Sequence, residues 1–452
     1  MHQDPMFPDP EEAVDWLAVL GILRYANPGQ LTHVPVALTP YGAPESLLEE
    51  AEALTAVSQT LMHRVADDGA FLEDTLGSVT QHDDFLKLLF SFRGAETPQP
   101  WRLLISRNDF FAIPEGGGQG WRQVEFNSIS ASFPHLAGRL YRFHQLLCRS
   151  QPDVLGRLLP NDPLTPITAG IAEGVQVHGA SNGVVLMIVQ PQESNRLDQR
   201  GIEQRLLQQF GLSTVRATLA EVAERGKLRQ GTLRFAGEPV ALVYYRAGYT
   251  PKDFTHPDAV AGRRLLEASD AIQVPDLAMQ LAGMKKVQQR LTNPEVLGRF
   301  VSDSEAKPLL EVCAEMHSLD DDSDEVEFVL NEAAEHPERF VLKPQREGGG
   351  HNVYGAEIVK KLAKLSPGER SSWVLMERLH PVAHEATLLV DHHAETLRCV
   401  SELGRYGVLL ANGAEVRLNE DAGYLVRTKG ESVDEGGVSA GYACLNSLVR
   451  EA

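Results

Sequence analysis

Between residues 183 and 245, continuous apolar runs alternate with helical segments, and this alternation restricts the fold more than any other feature of the chain. Gly183–Gln190 reads as a strand, Gln199–Phe210 as a helix closed by Gly211, Ser213–Ala217 as a strand, Leu219–Glu224 as a helix and Val240–Tyr245 as a strand. A strand that is apolar along its whole length has both faces covered, and short helices between such strands supply the crossovers. The pattern therefore predicts a mainly parallel, doubly covered sheet. We place a compact α/β domain at 181–288, with an N-terminal part at 1–180 and a C-terminal part at 289–452.

The flanks follow other rules. Asp9-Pro10-Glu11-Glu12 reads as a capped helix start with acids facing the helix dipole, not as a secretory leader. Trp16–Leu23 and Leu47–Leu61 repeat near the helical period, so the chain to about residue 150 reads as mostly helical. Arg102–Arg107 and Arg122–Asn127 read as strands flanking a hairpin loop at Pro114–Gly120, whose glycines are followed by no helix start and no Lys-Ser/Thr. After residue 289 come helices to about 335 and then a strand-rich region. Asp320–Glu325 lacks the Gly and the terminal Glu of a calcium loop and reads as a solvated acidic loop.

With 42 Lys+Arg against 62 Asp+Glu, the formal charge of −20 disfavours nucleic acid and anionic membrane unless cations cluster locally. The longest apolar runs fall short of the ~20 residues that span a bilayer. Cys148, Cys313, Cys399 and Cys444 form no CxxC pair and read as buried small apolar residues of a reducing compartment, so a cytoplasmic location is expected. His380, His384, His392 and His393 do not complete a zincin motif and read as surface histidines of a hairpin.

Such a cluster occurs in Phe340–Tyr354. A strand delivers Lys343, Arg346 and Glu347 directly before three glycines, whose missing Cβ lets backbone N–H groups wrap an anion. The lysine and arginine suit a nucleotide polyphosphate, and Glu347 suits a Mg²⁺ that bridges it. In Val124–Ser132 the i, i+2 pair Glu125 and Asn127 shares one strand face, offering two oxygen ligands before a hydroxyl-rich turn. Glu402-Leu-Gly404 and Arg427-Thr-Lys429 precede the glycine-rich 431–441 stretch, which reads as a lid.

Lys343-Pro-Gln-Arg-Glu-Gly-Gly-Gly350, Glu125-Phe-Asn-Ser-Ile-Ser-Ala-Ser-Phe133, Gln280–Gln289, Ser401-Glu-Leu-Gly404, Met376-Glu377 and Leu425-Val-Arg-Thr-Lys429 together resemble the eukaryotic-type glutathione synthetases, which are ATP-grasp carboxylate–amine ligases. The matches run in family order from about Arg107 to Gly441. The resemblance implies an ATP-grasp fold with an inserted α/β substrate-binding domain and a Gly-rich lid. It implies ligation of γ-glutamylcysteine to glycine with ATP and Mg²⁺, and a homodimer.

By the same resemblance Glu125, Asn127 and Glu347 would ligate Mg²⁺. Lys285, Lys343, Gly348, Gly349, Gly350, His351, Asn352, Tyr354, Met376, Glu377, Glu402, Lys429 and Glu435 would hold ATP. Arg107, Ser130, Ser132, Glu193, Asn195, Gln199, Arg246, Tyr249, Arg427, Val438 and Ser439 would hold the peptide and amine substrates. Catalysis would rest on Arg427, Glu347 and Lys343 by positioning and charge stabilisation, with an acyl phosphate between the two half-reactions and no side-chain nucleophile. The chain departs from the family pattern at Ser194, where Arg is usual, at Ala247 and Glu435, where Asp is usual, and in the lid pair Val438-Ser439, where Val-Ala is usual. The lid pair opens β-alanine or serine as alternative acceptors, and the lost charges at 194 and 247 open a non-catalytic nucleotide-binding relative.

Overall fold

The computed structural model describes residues 9–27, 29–94, 99–116, 118–346, 350–434, 437–438, 441 and 443–451. Asp9 caps the first helix, Pro10–Val19, by accepting from the Glu11 N–H, and Pro10 occupies its first turn. The N-terminal part is less helical than its periodicity predicts. Leu23–Asn27 and Gln30–His33 form a hairpin, Val36–Ala37 joins the largest sheet, and Tyr41–Pro44 pairs in parallel with the C-terminal strand Leu448–Glu451. These strands are too short for a period-2 signal to stand out from the helices around them.

The parallel sheet expected from the alternation is present. Val184–Ile188 is buried at every position and pairs in parallel with Thr214–Ala217 and Glu238–Tyr245, and the latter pairs in parallel with Ile272–Val274. Helix Arg196–Phe210 ends at Gly211, whose φ of 66° is the left-handed cap that glycine adopts at least cost. The hairpin strands Lys227–Arg229 and Thr232–Phe235, which the alternation does not reveal, extend this sheet in antiparallel fashion to an exposed edge.

The largest sheet has seven strands. In spatial order these are His384–Val390, Val36–Ala37, Cys444–Asn446, Glu415–Gly430, His393–Asn412, Arg102–Glu115 and Gly118–Asn127. His384–Val390 also pairs with His393–Asn412, so the first five strands close into a ring. Ala37, Ala386, Leu388, Cys399 and Cys444 form a buried apolar cluster among them. Cys148 is buried too, while Cys313 is only partly so.

A third, antiparallel sheet orders Met316–His317, Trp373–Glu377, Phe340–Pro344 and Val353–Tyr354. It rests on its own core of Leu319, Val326, Val329, Phe340, Leu342, Ile358 and Leu375. The Asp320–Glu325 stretch is exposed throughout, as expected, but its last two residues open a helix and two of its acids are paired. Asp320 Oδ1 pairs with buried Lys286 Nζ at 2.5 Å, Asp322 with Arg370 at 2.8 Å, and Ser323 caps helix Asp324–Glu335. His392 and His393 lie exposed at the hairpin tip as expected, whereas His384 is half-buried, with Nε2 at 2.9 Å from Ser401 Oγ. Among the described residues no helix is long and apolar enough to cross a membrane.

Candidate active site

Register brings the polar side chains of four adjacent strands onto one floor. Glu402 lies opposite Arg427, Gly404 opposite Asp109, Asp109 opposite Glu125, and Arg107 opposite Asn127. Because side chains alternate along a strand, the i, i+2 pairs Arg107/Asp109, Glu125/Asn127 and Arg427/Lys429 fall on the same face. Arg107 Nε donates to Asp109 Oδ1 at 2.6 Å, and Arg427 Nη2 donates to Asp109 Oδ2 at 2.9 Å and also to Glu402. Burial pushes the Glu402 carboxyl up, with Arg427 opposing and Asp109 adding to the rise. The acids on either side hold Arg427 firmly protonated against the cost of its burial.

Glu125 is the opposite case. Burial alone would raise its carboxyl, but Lys285 and Lys343, followed by Arg427 and Arg107, bring it down to about 2. Lys285 Nζ stands 3.2 Å from Glu125 Oε2 and donates to the Arg346 carbonyl at 2.7 Å. Lys343 Nζ donates across to the Val124 carbonyl at 3.1 Å, linking the third sheet to the floor. Between the two sheets lies a cavity of about 240 Å³ whose lining includes Glu125, Lys285, Lys343, Tyr354, Glu402 and Lys429.

Asn352, Met376, Glu377 and Arg427 border the same cavity. Glu125 faces the lysines on this cavity, and Asn127, outside its lining, lies two residues along on the same strand face; an ionised carboxylate with an amide oxygen near lysines is a donor set suited to Mg²⁺ carrying a polyphosphate, so the residues fit both groups. Gly350 and His351 are exposed and lie outside this lining. Glu347, Gly348, Gly349, Glu435 and Ser439 lie outside the described residues. Arg346, expected at phosphate, instead places Nη1 2.5 Å from Asp83 Oδ2 and presents its carbonyl to Lys285.

The substrate candidates assemble beyond the Arg107 end of the floor. Arg246 donates to Ala131 O at 2.9 Å and Ser132 Oγ at 2.6 Å, and Tyr406 donates to Ser132 O. Glu193 accepts from Asn195 N at 2.8 Å and from Gln199 Nε2 at 2.7 Å. Ser130 and Phe133 hold positive φ of 56° and 75°, strained for side-chain-bearing residues. The buried Asp198 carboxylate offsets that strain by accepting from the N–H groups of Phe133, His135 and Leu136 at 2.9–3.2 Å.

Tyr249 belongs to a turn in which Asp253 Oδ2 gathers the N–H groups of Gly248, Tyr249 and Thr250. Ala247 in that turn is buried and Ser194 is exposed, so the two departures from the family pattern occupy different environments. The buried side chain of Val438 reaches a small hollow lined by Phe133, Ser194 and Asn195. At the lid's base Lys429 Nζ donates to Asp434 O at 2.6 Å, and Arg378 pairs with Asp434 at 2.7 Å.

Sequence reasoning missed Asp109, Asp198 and Asp253. Each is an acid that organises predicted residues rather than facing the cavity. Asp109 carried a readable signal, since it stands two residues from Arg107 on the same strand face, and Asp198 directly precedes Gln199.

The family model for the eukaryotic glutathione synthase ATP-binding domain matches residues 10–449. The human glutathione synthetase is 38% identical over 429 residues, covering 92% of this chain and 90% of that protein. The chloroplastic glutathione synthetase of Solanum lycopersicum is 36% identical over 434 residues, covering 92% of this chain and 78% of that protein. A glutathione synthetase-like effector from Globodera pallida, solved in its apo form, superposes with a TM-score of 0.79 at 21% identity, covering 100% of this chain and 98% of its own, and so supports the fold. With two sheets enclosing the cavity and the family match running almost end to end, the chain belongs to the eukaryotic glutathione synthase family, an ATP-grasp fold.

Proposed function

We propose that the protein joins γ-glutamylcysteine to glycine, converting ATP to ADP and phosphate, as a cytoplasmic homodimer. The observation that carries this reading is the placement of the family's motif residues on opposite walls of one cavity. Glu125, Glu402, Arg427 and Lys429 come from the seven-stranded sheet, and Lys343, Met376 and Glu377 from the four-stranded one.

The residues divide the work. Lys285, Lys343 and Lys429 neutralise the polyphosphate, and Met376 and Glu377 border the nucleoside end. Glu125 and Asn127, with Glu347, hold Mg²⁺, which when bound spreads the charge of the transferring phosphoryl group. Arg246, Ser130, Ser132, Glu193, Asn195, Gln199 and Tyr249 hold the dipeptide in the α/β region at 181–288 and the turn beside it. Arg107 and Arg427 orient its cysteinyl carboxylate by forked hydrogen bonds.

The carboxylate oxygen attacks the γ-phosphorus, the bond to the β,γ-bridging oxygen breaks, and ADP leaves. Glycine's amine then attacks the acyl carbon of the acyl phosphate, and phosphate departs as the amide forms. Water would hydrolyse that intermediate, so the stretch 431–441 closes over it. ADP release by the purified protein should require both γ-glutamylcysteine and glycine; release that depends on neither overturns the reading. Comparing kcat/KM for glycine, β-alanine and serine settles acceptor choice.

A further inference from the structure

We propose that Asp109 is the positioning residue that couples the dipeptide-carboxylate arginines to the metal-binding amide; this rests on the functional reading above. Asp109 is 0% exposed, and both of its oxygens are engaged. Oδ1 accepts from Arg107 Nε at 2.6 Å. Oδ2 accepts from Arg107 Nη2 at 2.8 Å, Asn127 Nδ2 at 2.9 Å and Arg427 Nη2 at 2.9 Å.

One buried carboxylate thus sets two functions at once. It stands between two guanidinium groups that would otherwise repel each other, offsetting part of their charge, and it aims their planes. By taking Asn127 Nδ2, and with the Arg107 carbonyl taking the same nitrogen at 3.3 Å, it fixes the amide so that Oδ1 is the atom left for a cation. Asp109 itself touches neither substrate nor metal.

Gly404 supplies independent support. It lies opposite Asp109 in the ladder, and a Cβ there would stand 2.6 Å from Asp109 Oδ1 and 2.7 Å from Arg107 Cδ. The glycine is needed for space, so that the Arg107–Asp109 pair can lie flat across the neighbouring strand.

The test uses the full-length protein and two variants, Asp109→Asn and Gly404→Ala. The second keeps every functional group and only crowds the pair. Three sets of quantities are read: the Kd of γ-glutamylcysteine and of metal-free ADP by calorimetry, the Kd of Mn²⁺ with ADP by electron paramagnetic resonance, and kcat and KM for each substrate. Asp109→Asn should weaken dipeptide and Mn²⁺ binding ~10–100-fold while the Kd of metal-free ADP, read by calorimetry, moves only slightly. Gly404→Ala should shift the same quantities in the same direction and more weakly.

Unchanged dipeptide and Mn²⁺ affinities in either folded variant overturn the proposal, as does an equal loss across all ligands, which marks general structural support. If Asp109→Asn does not fold, Gly404→Ala decides alone. A wild-type chain that binds these ligands without ligating overturns the functional reading instead, and the binding measurements still judge Asp109.

Discussion

His144 should make the protein acid-sensitive well above the carboxylate range. It is fully buried on helix Pro134–Leu147, with Nε2 at 3.0 Å from the Ala37 carbonyl and Nδ1 at 2.9 Å from Ser447 Oγ. A carbonyl can only accept, so Nε2 carries the proton and Nδ1 accepts from the serine hydroxyl. The neutral ring is therefore fully satisfied. Burial lowers its pKa from 6.5 to about 4, against the opposing pull of the Ala37 and Leu140 carbonyls.

Between those two values the unfolded chain binds a proton that the folded chain refuses, so stability falls as pH falls through that window. Linkage gives a loss of about 2 kcal/mol from this residue between pH 7 and pH 5. In His144→Gln the side-chain amide can still donate to Ala37 O, and nothing titrates. The variant should be less stable than the wild type at pH 7, and the gap should close by about 2 kcal/mol at pH 5. Urea unfolding followed by two probes at each pH reads the gap, and subtracting one protein from the other removes the other titrating groups they share. A gap equal at both pH values within about 0.5 kcal/mol refutes the reasoning.

Two further perturbations follow from the packing. Arg378→Ala or Asp434→Asn removes the ion pair at the base of the lid. Both partners are about a third or more exposed, so the pair contributes ~0.2–1 kcal/mol and the KM for ATP should rise less than about fivefold, by an amount that shrinks in high salt. Gly262→Ala would place a Cβ 1.9 Å from the Leu219 carbonyl oxygen, forcing helix Pro257–Glu267 off helix Leu219–Arg225. It should destabilise by ~1–3 kcal/mol, and a thermal midpoint equal to wild type would mean that the two helices are not in close contact.

How legible this molecule was depended on the range of the signal. The parallel sheet was readable because Val184–Ile188 and the strand at 240–245 are apolar at every position, which only two-sided burial explains. The Glu125/Asn127 face was readable because strand alternation is a local rule. The closure of five strands into a ring was not readable, since it depends on the two-residue strand Val36–Ala37 pairing with partners some 350 and 410 positions away. The pairing of Arg346 was hidden for the same reason. Its neighbours in sequence are the glycine run read as a phosphate loop, but its partner in space is Asp83.

The net charge of −20 and a polyphosphate site are reconciled by where acids and cations sit. On the floor, the facing strand Phe340–Pro344 and the start of helix Lys285–Leu291, Arg107, Arg427, Lys429, Lys343 and Lys285 outnumber Asp109, Glu125 and Glu402; Glu377, Glu431 and Asp434 also border the cavity, and acids such as those at 320–325 lie elsewhere. The carboxylates within the site are not a concession to overall composition. Without them five cations would crowd one site and repel. With them each arginine is held in a fixed plane and the floor keeps a positive remainder, which an anionic substrate can neutralise on binding. Preorganised charge of this kind lowers a phosphoryl-transfer barrier without reorganisation at the moment of reaction. It also explains why Asp109 and Asp198 are acids buried beneath the residues that would meet the substrate.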